Sequence, residues 1–255
     1  MKYDLQKADI WKRASAGLLD LILTATLAVG LIWLIISLTG FDGHHDSFFE
    51  IWNGYAGEES VEFNPLTDNF ANLSEEDQAK VDAAWAKFSY DPQANKDFNM
   101  MIALGTLSIT LGILLAFIVT EFVIPMIFKN GQTVGKKVFG IGVMRVDGVR
   151  VTGLMMFVRS ILGKYTIETM VPLIMLIWIM VPIFNAGVFS VLVLALVVIG
   201  NLVMMVITDT NSGIHDLFAH TVTVDMSSQM IFDSPEALLE YKQKIHAEAV
   251  ERAEY

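Results

Sequence analysis

Three long apolar stretches constrain this chain more than any other feature: Ala14 to Thr39, Met100 to Ile127, and Val171 to Thr208. Each is long enough to cross roughly 30 Å of hydrocarbon as a helix. The last is 38 residues and would extend about 57 Å as one helix, nearly twice the membrane core. The break "PIFNAG", Pro182 to Gly187, divides it, so four spanning helices are expected. The third of these has a short purely apolar part, Met170 to Phe184, and spans fully only if Ile161 to Thr169 extends it. Hydrophobic residues make up 54% of the chain and charged ones only 18%, a balance soluble domains of this size rarely show.

Charge is segregated by loop. Lys2, Lys7, Lys12 and Arg13 precede the first apolar stretch, and Lys129, Lys136, Lys137, Arg145, Arg150, Arg159 and Lys164 follow the second. Both basic segments are expected on the cytoplasmic side. Gly40 to Asn99 carries thirteen acids against Lys80, Lys87 and Lys96 and is expected outside. Four passes then return the C-terminus to the cytoplasm. The first helix follows basic residues as a signal peptide would, but its apolar run exceeds a typical signal core, so it is expected to stay as an anchor.

The expected organisation is a cytoplasmic N-terminus with helix 1 (1–39), an acidic extracytoplasmic insert (40–99), helix 2 (100–127), a basic cytoplasmic loop (128–165), helices 3 and 4 (166–208) and a cytoplasmic strand and helix (209–255). In the insert, "LSEEDQAKVDAAWAKF" offers Ser74 as N-cap of an amphipathic helix. The aromatics of "FFEIWNGY" are assigned to the membrane surface or to packing. In the basic loop, Val138 to Val146 and Val149 to Thr152 flank Asp147-Gly148 and predict a β-hairpin. Residues 220–225, "HTVTVD", alternate and offer a third strand. The tail, capped by Asp233 or Ser234, predicts a soluble helix. The fold class is therefore an all-α integral membrane protein with four transmembrane helices and a small cytoplasmic β-hairpin or three-stranded sheet. No internal repeat stands out.

Arg13 and Asp20 are seven residues apart, so they share one helix face about 10 Å apart along the axis. A carboxylate just inside the hydrocarbon is costly unless a cation or water answers it. Arg13, Arg159 and Lys136 are the candidate cations. Glu121 poses the same problem at a similar level, and Asn201, Asp209 and Asp216 add polar groups at the end of the fourth helix. The ion-pair or transport candidates are accordingly Arg13, Asp20, Glu121, Arg159, Asp209 and Asp216. They converge on one side of the bilayer, which fits either a structural ion-pair cluster or a site for a transported ion. The small residues Ala14 to Gly17 admit a close neighbour, with Ser108 and Gly112 offering a matching pair.

"GQTVGKK" lacks the spacing, the terminal Ser or Thr and the preceding strand of a phosphate-binding loop, so nucleotide binding is not expected. Its glycines are assigned to tight turns. "HHD" at His44 to Asp46, and His215, Asp216 and His220, supply too few convergent ligands for a metal. No catalytic residues, enzyme activity, cofactor, metal or nucleic-acid partner is expected. The expected partners are the lipid bilayer and either a second copy or other membrane proteins.

Taken together, "WKRASAGLLD" (11–20), "GQTVGKKVFGIGVMRVDG" (131–148), "VRS" (158–160) and "IHDLFAHTVTV" (214–224) resemble the RDD family of membrane proteins, named for an arginine and two aspartates. Arg13 and Asp20 match the arginine and first aspartate, and Asp216 matches the second. The acidic insert and the tail helix fall outside the resemblance. At the end of "HDLFAHT", His220 stands where the family usually has glycine. The resemblance implies a multi-pass bacterial inner-membrane protein for which transport of ions or other ligands is proposed. Two functions follow: an antiporter-like carrier in which Asp20 and Glu121 exchange protons or monovalent cations while Arg13 sets their affinity, or a scaffold or assembly factor in which the same charges lock helices together.

Overall fold

A computed structural model describes residues 6–128, 130–180 and 187–253. The chain divides into two compact units: Met1–Leu27 with Leu114–Tyr255, and Ala28–Ile113. Among the described residues, three helices are long and apolar enough to cross a membrane: α1 (Ile10–Thr39), α4 (Pro92–Ile127) and α7 (Gly187–Ile207). Large apolar side chains such as Leu21, Trp33, Leu192 and Leu196 stand exposed on them. That arrangement suits lipid rather than water, since hydrocarbon solvates such faces and the helix satisfies its own backbone. α4 begins at Pro92, eight residues before its apolar part, because polar residues from Pro92 to Asn99 continue the same helix. The remaining long helix, α6 (153–180), runs Gly153–Phe157, Val158–Met170 and Val171–Met180 without interruption. The expected break at Pro182 to Gly187 and the end of the expected third span fall largely outside the described residues.

In the second unit, α2 (Phe41–Glu58) and α3 (Glu75–Phe88) pack around buried Phe48, Trp52, Val81, Ala84 and Phe88. The Trp52 indole N–H donates to the Phe63 carbonyl at 2.6 Å, so a buried ring keeps its polar end satisfied. Ser74 caps α3, its hydroxyl accepting from the Asp77 N–H at 3.1 Å. The aromatics of "FFEIWNGY" therefore build a core of their own. Gly112 serves here too: a Cβ on it would lie 2.5 Å from Ile32, so its bare backbone is what lets α1 and α4 approach. It meets Ile32 rather than the small residues at the start of α1.

In the first unit the predicted hairpin is corrected. β1 (Ile141–Arg145) pairs antiparallel with β2 (Thr221–Asp225), with Val143 opposite Thr223. Asp147-Gly148 does turn the chain, with the Arg145 N–H donating to the Val149 carbonyl at 2.8 Å. The return segment, however, makes only single bridges, from Arg150 to Met144 and from Val149 to Phe232. Val138 closes a short helix, α5 (Val134–Val138), instead of opening a strand. Period-two alternation could not distinguish the neighbouring partner from the distant one, and "TVTVD" won with its unbroken β-branched face. The tail forms α9 (Pro235–Ala253).

The structure contains an internal repeat that identity comparison does not show. α5 and β1 recur as α8 (Ile214–Phe218) and β2, each residue 80 positions after its counterpart, as Thr221 follows Ile141. The backbone repeats where it is most unusual. Gly131 and Asn211 have φ of 59° and 51°, and Gly140 and His220 have φ of 66° and 50°. The entering helices repeat as well. Lys7 bridges to Val224 and Arg150 bridges to Met144, both antiparallel, and α1 and α6 start three residues beyond those bridges, at Ile10 and Gly153. Two copies of one frame thus meet along the β1–β2 pair.

His220 occupies a left-handed position that glycine adopts without a Cβ clash. Its side chain is exposed and brings no compensating contact on that surface. His220→Gly is expected to stabilise the folded chain by about 0.5–1 kcal/mol, read as a higher thermal midpoint in detergent.

Candidate functional site

Two of the long helices that contribute polar groups depart from the α period where they do so. Ile118–Val123 of α4 and Val158–Met170 of α6 are π-helical. Hydrogen bonds from i to i+5 widen the turn, so residues four or five apart lie over one another. That brings Arg159, Lys164 and Glu168 onto one face of α6. Sequence reasoning that assumes 3.6 residues per turn distributes them around the helix.

Asp216, fully buried on α8, is the centre. Its Oδ2 accepts from Arg13 Nη2 at 2.8 Å, and its Oδ1 accepts from Arg159 Nη1. Arg159 Nη1 also donates to the Thr221 hydroxyl at 2.8 Å, which fastens the pair to β2. Arg13 therefore does not reach along its own helix to Asp20. It crosses to the other aspartate, because seven residues of helical rise leave Asp20 too far away.

Asp20 is held by neutral donors instead. The Thr133 hydroxyl donates to Oδ2, and the Gly135 N–H donates to Oδ1 at 2.7 Å. Thr133 is the N-cap of α5, and Gly135 lies in its first turn, where backbone N–H groups lack partners within the helix. Among the described residues, no cation lies within 4.0 Å of its carboxylate; Lys136, one of the three candidate cations, reaches the same Thr133 hydroxyl at 3.4 Å and so answers Asp20 through that hydroxyl rather than by direct contact. Gly135 makes this approach possible, since a Cβ there would sit 2.3 Å from the Ala16 carbonyl oxygen and 2.9 Å from Asp20. That glycine serves close packing rather than the tight turn assigned to it.

Glu121 pairs with Lys164 at 2.6 Å, and its carbonyl accepts from the Ser160 hydroxyl at 2.5 Å. Glu168 accepts from the His215 N–H at 2.9 Å and lies 2.7 Å from His215 Nδ1. Asn201 accepts from the Ile214 N–H at 3.0 Å. Asp209 stays exposed in the turn after α7, outside the cluster. His44 lies with Asp97 at 2.7 Å in the other unit, and His220 is exposed at its turn. The cluster thus collects Arg13, Asp20, Glu121, Arg159 and Asp216 from the sequence-based set. It adds Lys164, Glu168 and Thr133. Glu168 had a visible signal, a lone acid beside a long apolar stretch.

The repeat orders these contacts. In the first copy Asp20 of the entering helix meets Gly135, the second residue of the short helix; in the second copy the counterparts are Gly163 and His215. A Cβ on Gly163 would lie 2.7 Å from the His215 Cβ. The large and small partners have changed places at one junction. Between the copies lies a cavity of about 240 Å³ lined by Arg13, Asp20, Lys136, Arg159, Lys164 and His215, among others.

The RDD family profile matches residues 7–220, a stretch that holds every member of this cluster. The chain belongs to the RDD family. No curated protein and no solved structure matches it. Of the three residues that resemble the family's arginine and two aspartates, Arg13 and Asp216 form an ion pair, while Asp20 accepts from the Gly135 N–H at the start of α5.

Lys136, on α5, is buried, its ammonium 3.4 Å from the Thr133 hydroxyl. Burial, reinforced by Lys164, pushes it from 10.5 down to about 7 against the pull of Glu121 and Asp20. The unfolded chain then holds more protons than the folded one between those values, so this residue makes stability rise with pH from about 7 to 10.5. Lys136→Met is expected to flatten that rise, measured as thermal midpoint against pH beside the wild type. Asp216→Asn leaves two buried guanidinium groups without an anion and is expected to cost about 3–5 kcal/mol. The same change at exposed Asp147, 2.6 Å from Arg145, is expected to cost under about 1 kcal/mol in the same melts.

Proposed function

We propose that this RDD protein is an antiporter-like carrier that exchanges protons or monovalent cations at Asp20. The observation that carries this reading is the position of Asp20: buried, on the cavity wall, and answered by a hydroxyl and a peptide N–H rather than by an ion pair. Such a carboxylate can trade its neutral partners for a proton or a small cation without breaking a salt bridge. Glu121 is less available, being already paired with Lys164. Lys136, on the same wall, supplies a second group able to lose a proton near neutral pH.

The setting we infer is a bacterial inner membrane, with four passes and both termini cytoplasmic. The charge asymmetry of the loops supports that orientation, and the continuous helix 153–180 would supply the pass beyond the three candidate spans. The repeat of helix, short helix and strand supports it too, since carriers are commonly built from two related halves with the site between them.

A second reading has its own support. Asp216 clamps Arg13 and Arg159 with no exposure at all, a geometry suited to fixing helices for a scaffold or assembly factor whose insert and tail meet partners. Flux separates the two. Purified chain in sealed vesicles, with a pH dye and imposed Na⁺, K⁺ or Li⁺ gradients, is expected to dissipate the gradient, and Asp20→Asn to reduce the rate at least tenfold while keeping its thermal midpoint within a few degrees. Asparagine still accepts from Gly135, so the fold has reason to survive. Wild-type vesicles with intact protein and no flux would leave the scaffold.

A further inference from the structure

We propose that the cavity between the two repeats binds a phosphate oxyanion, either free inorganic phosphate or the phosphate of an anionic lipid headgroup, held by Arg13 and Lys136. Five described residues on its wall carry formal charge, and four of them, Arg13, Lys136, Arg159 and Lys164, are cations. The fifth, Asp20, already accepts from Thr133 and Gly135. The acids that balance the cluster, Asp216, Glu121 and Glu168, contact these cations or His215 from behind and do not contribute to the wall. The space between is thus left positive, in surroundings of low polarisability where charge is felt strongly.

Two of the four cations have capacity to spare. The Arg13 side chain is 6% exposed; its Nη2 meets Asp216 at 2.8 Å, while its Nη1 is buried without a hydrogen-bond partner. A buried guanidinium donor left unpaired costs free energy that an incoming oxygen recovers. Among the described residues the Lys136 ammonium has one hydrogen-bond partner, the Thr133 hydroxyl at 3.4 Å, and no ion pair within 4.0 Å. Arg159, by contrast, is committed to Asp216 and Thr221, and Lys164 to Glu121.

Size and place select the ligand. About 240 Å³ falls below the roughly 300–1,000 Å³ of ordinary small-molecule pockets, which suits one tetrahedral oxyanion with some water. Arginine matches its oxygens with paired N–H donors, and lysine adds a point charge. Basic pockets between membrane helices suit lipid phosphates for the same reason. The proposal places its ligand at the carrier's proposed site, but it is read out by binding, so a failure of flux leaves it intact and a failure of binding leaves Asp20 exchange intact.

The test uses the full chain in neutral detergent. Inorganic phosphate is titrated against chloride at equal ionic strength, and phosphatidylglycerol is titrated against phosphatidylcholine in mixed micelles. A rise in thermal midpoint of roughly 5–10 °C at saturating phosphate supports the free ion as ligand. The same rise with phosphatidylglycerol alone supports the headgroup. Lys136→Met is expected to weaken either response at least tenfold, and Arg13→Gln to do the same provided it folds; Lys136→Met, which breaks no ion pair, carries the test if it does not. No rise beyond the chloride and phosphatidylcholine controls overturns the proposal, as does a rise that Lys136→Met leaves unchanged.

Discussion

A carboxylate with no solvent exposure cannot remain ionised without full compensation, and Asp216 has it from two guanidinium groups. Arg13 comes from α1, Arg159 from α6 and Asp216 from α8, so one charge binds three elements distant in sequence. Each arginine in turn is too deeply placed to be left alone. The helices are therefore held in one register by electrostatic necessity as well as by packing, which matters in lipid, where apolar helix faces gain little from meeting each other. The strand pair then follows: Arg159 also donates to Thr221, the first residue of β2, and fixes the edge from which the sheet grows.

The same constraint explains the short helices. α5 and α8 have five residues each, too few to be stable alone. Each is anchored by an acid from an entering helix, Asp20 for the Gly135 N–H and Glu168 for the His215 N–H. The acids are not sequence counterparts, since the position matching Asp20 is Gly163. What repeats is the physical solution: a free N–H in the first helical turn meets a carboxylate, buried at Asp20 and partly buried at Glu168, and each satisfies the other. The π-helical segment is what allows Glu168 to serve from a different level of its helix.

Much of the membrane architecture was legible because hydrocarbon thickness sets a length that apolar runs either meet or miss. The presence of the three candidate spans, the Ser74 cap and the tail helix all come from local chemistry. Arg13, Asp20, Glu121, Arg159 and Asp216 were visible as charges where charge is costly. Their partners were not. Sequence distance left Arg13, Arg159 and Lys136 all open as the answer to Asp20, whereas the pairing of Arg13 with Asp216 depends on tertiary placement. The hairpin failed for a similar reason: Asp147-Gly148 makes the turn, but the better β surface lay at 221–225. The repeat escaped notice because its copies preserve φ angles and contacts rather than residue identities, with Gly131 answered by Asn211 and Gly140 by His220.

Exchange of large and small at the repeat junction makes the two halves chemically unequal. Where Asp20 fills the first junction, His215 fills the second, and glycine faces each. A fully symmetric frame would have presented either two carboxylates or two imidazoles to the space between. Instead the wall carries one acid already held by neutral donors, with cations around it whose own acids lie behind them. A buried, nearly balanced cluster thereby keeps an unbalanced surface. Charge balance taken over the whole cluster accounts for why the helices stay together, and its imbalance at the cavity is where chemistry with a mobile ion becomes possible.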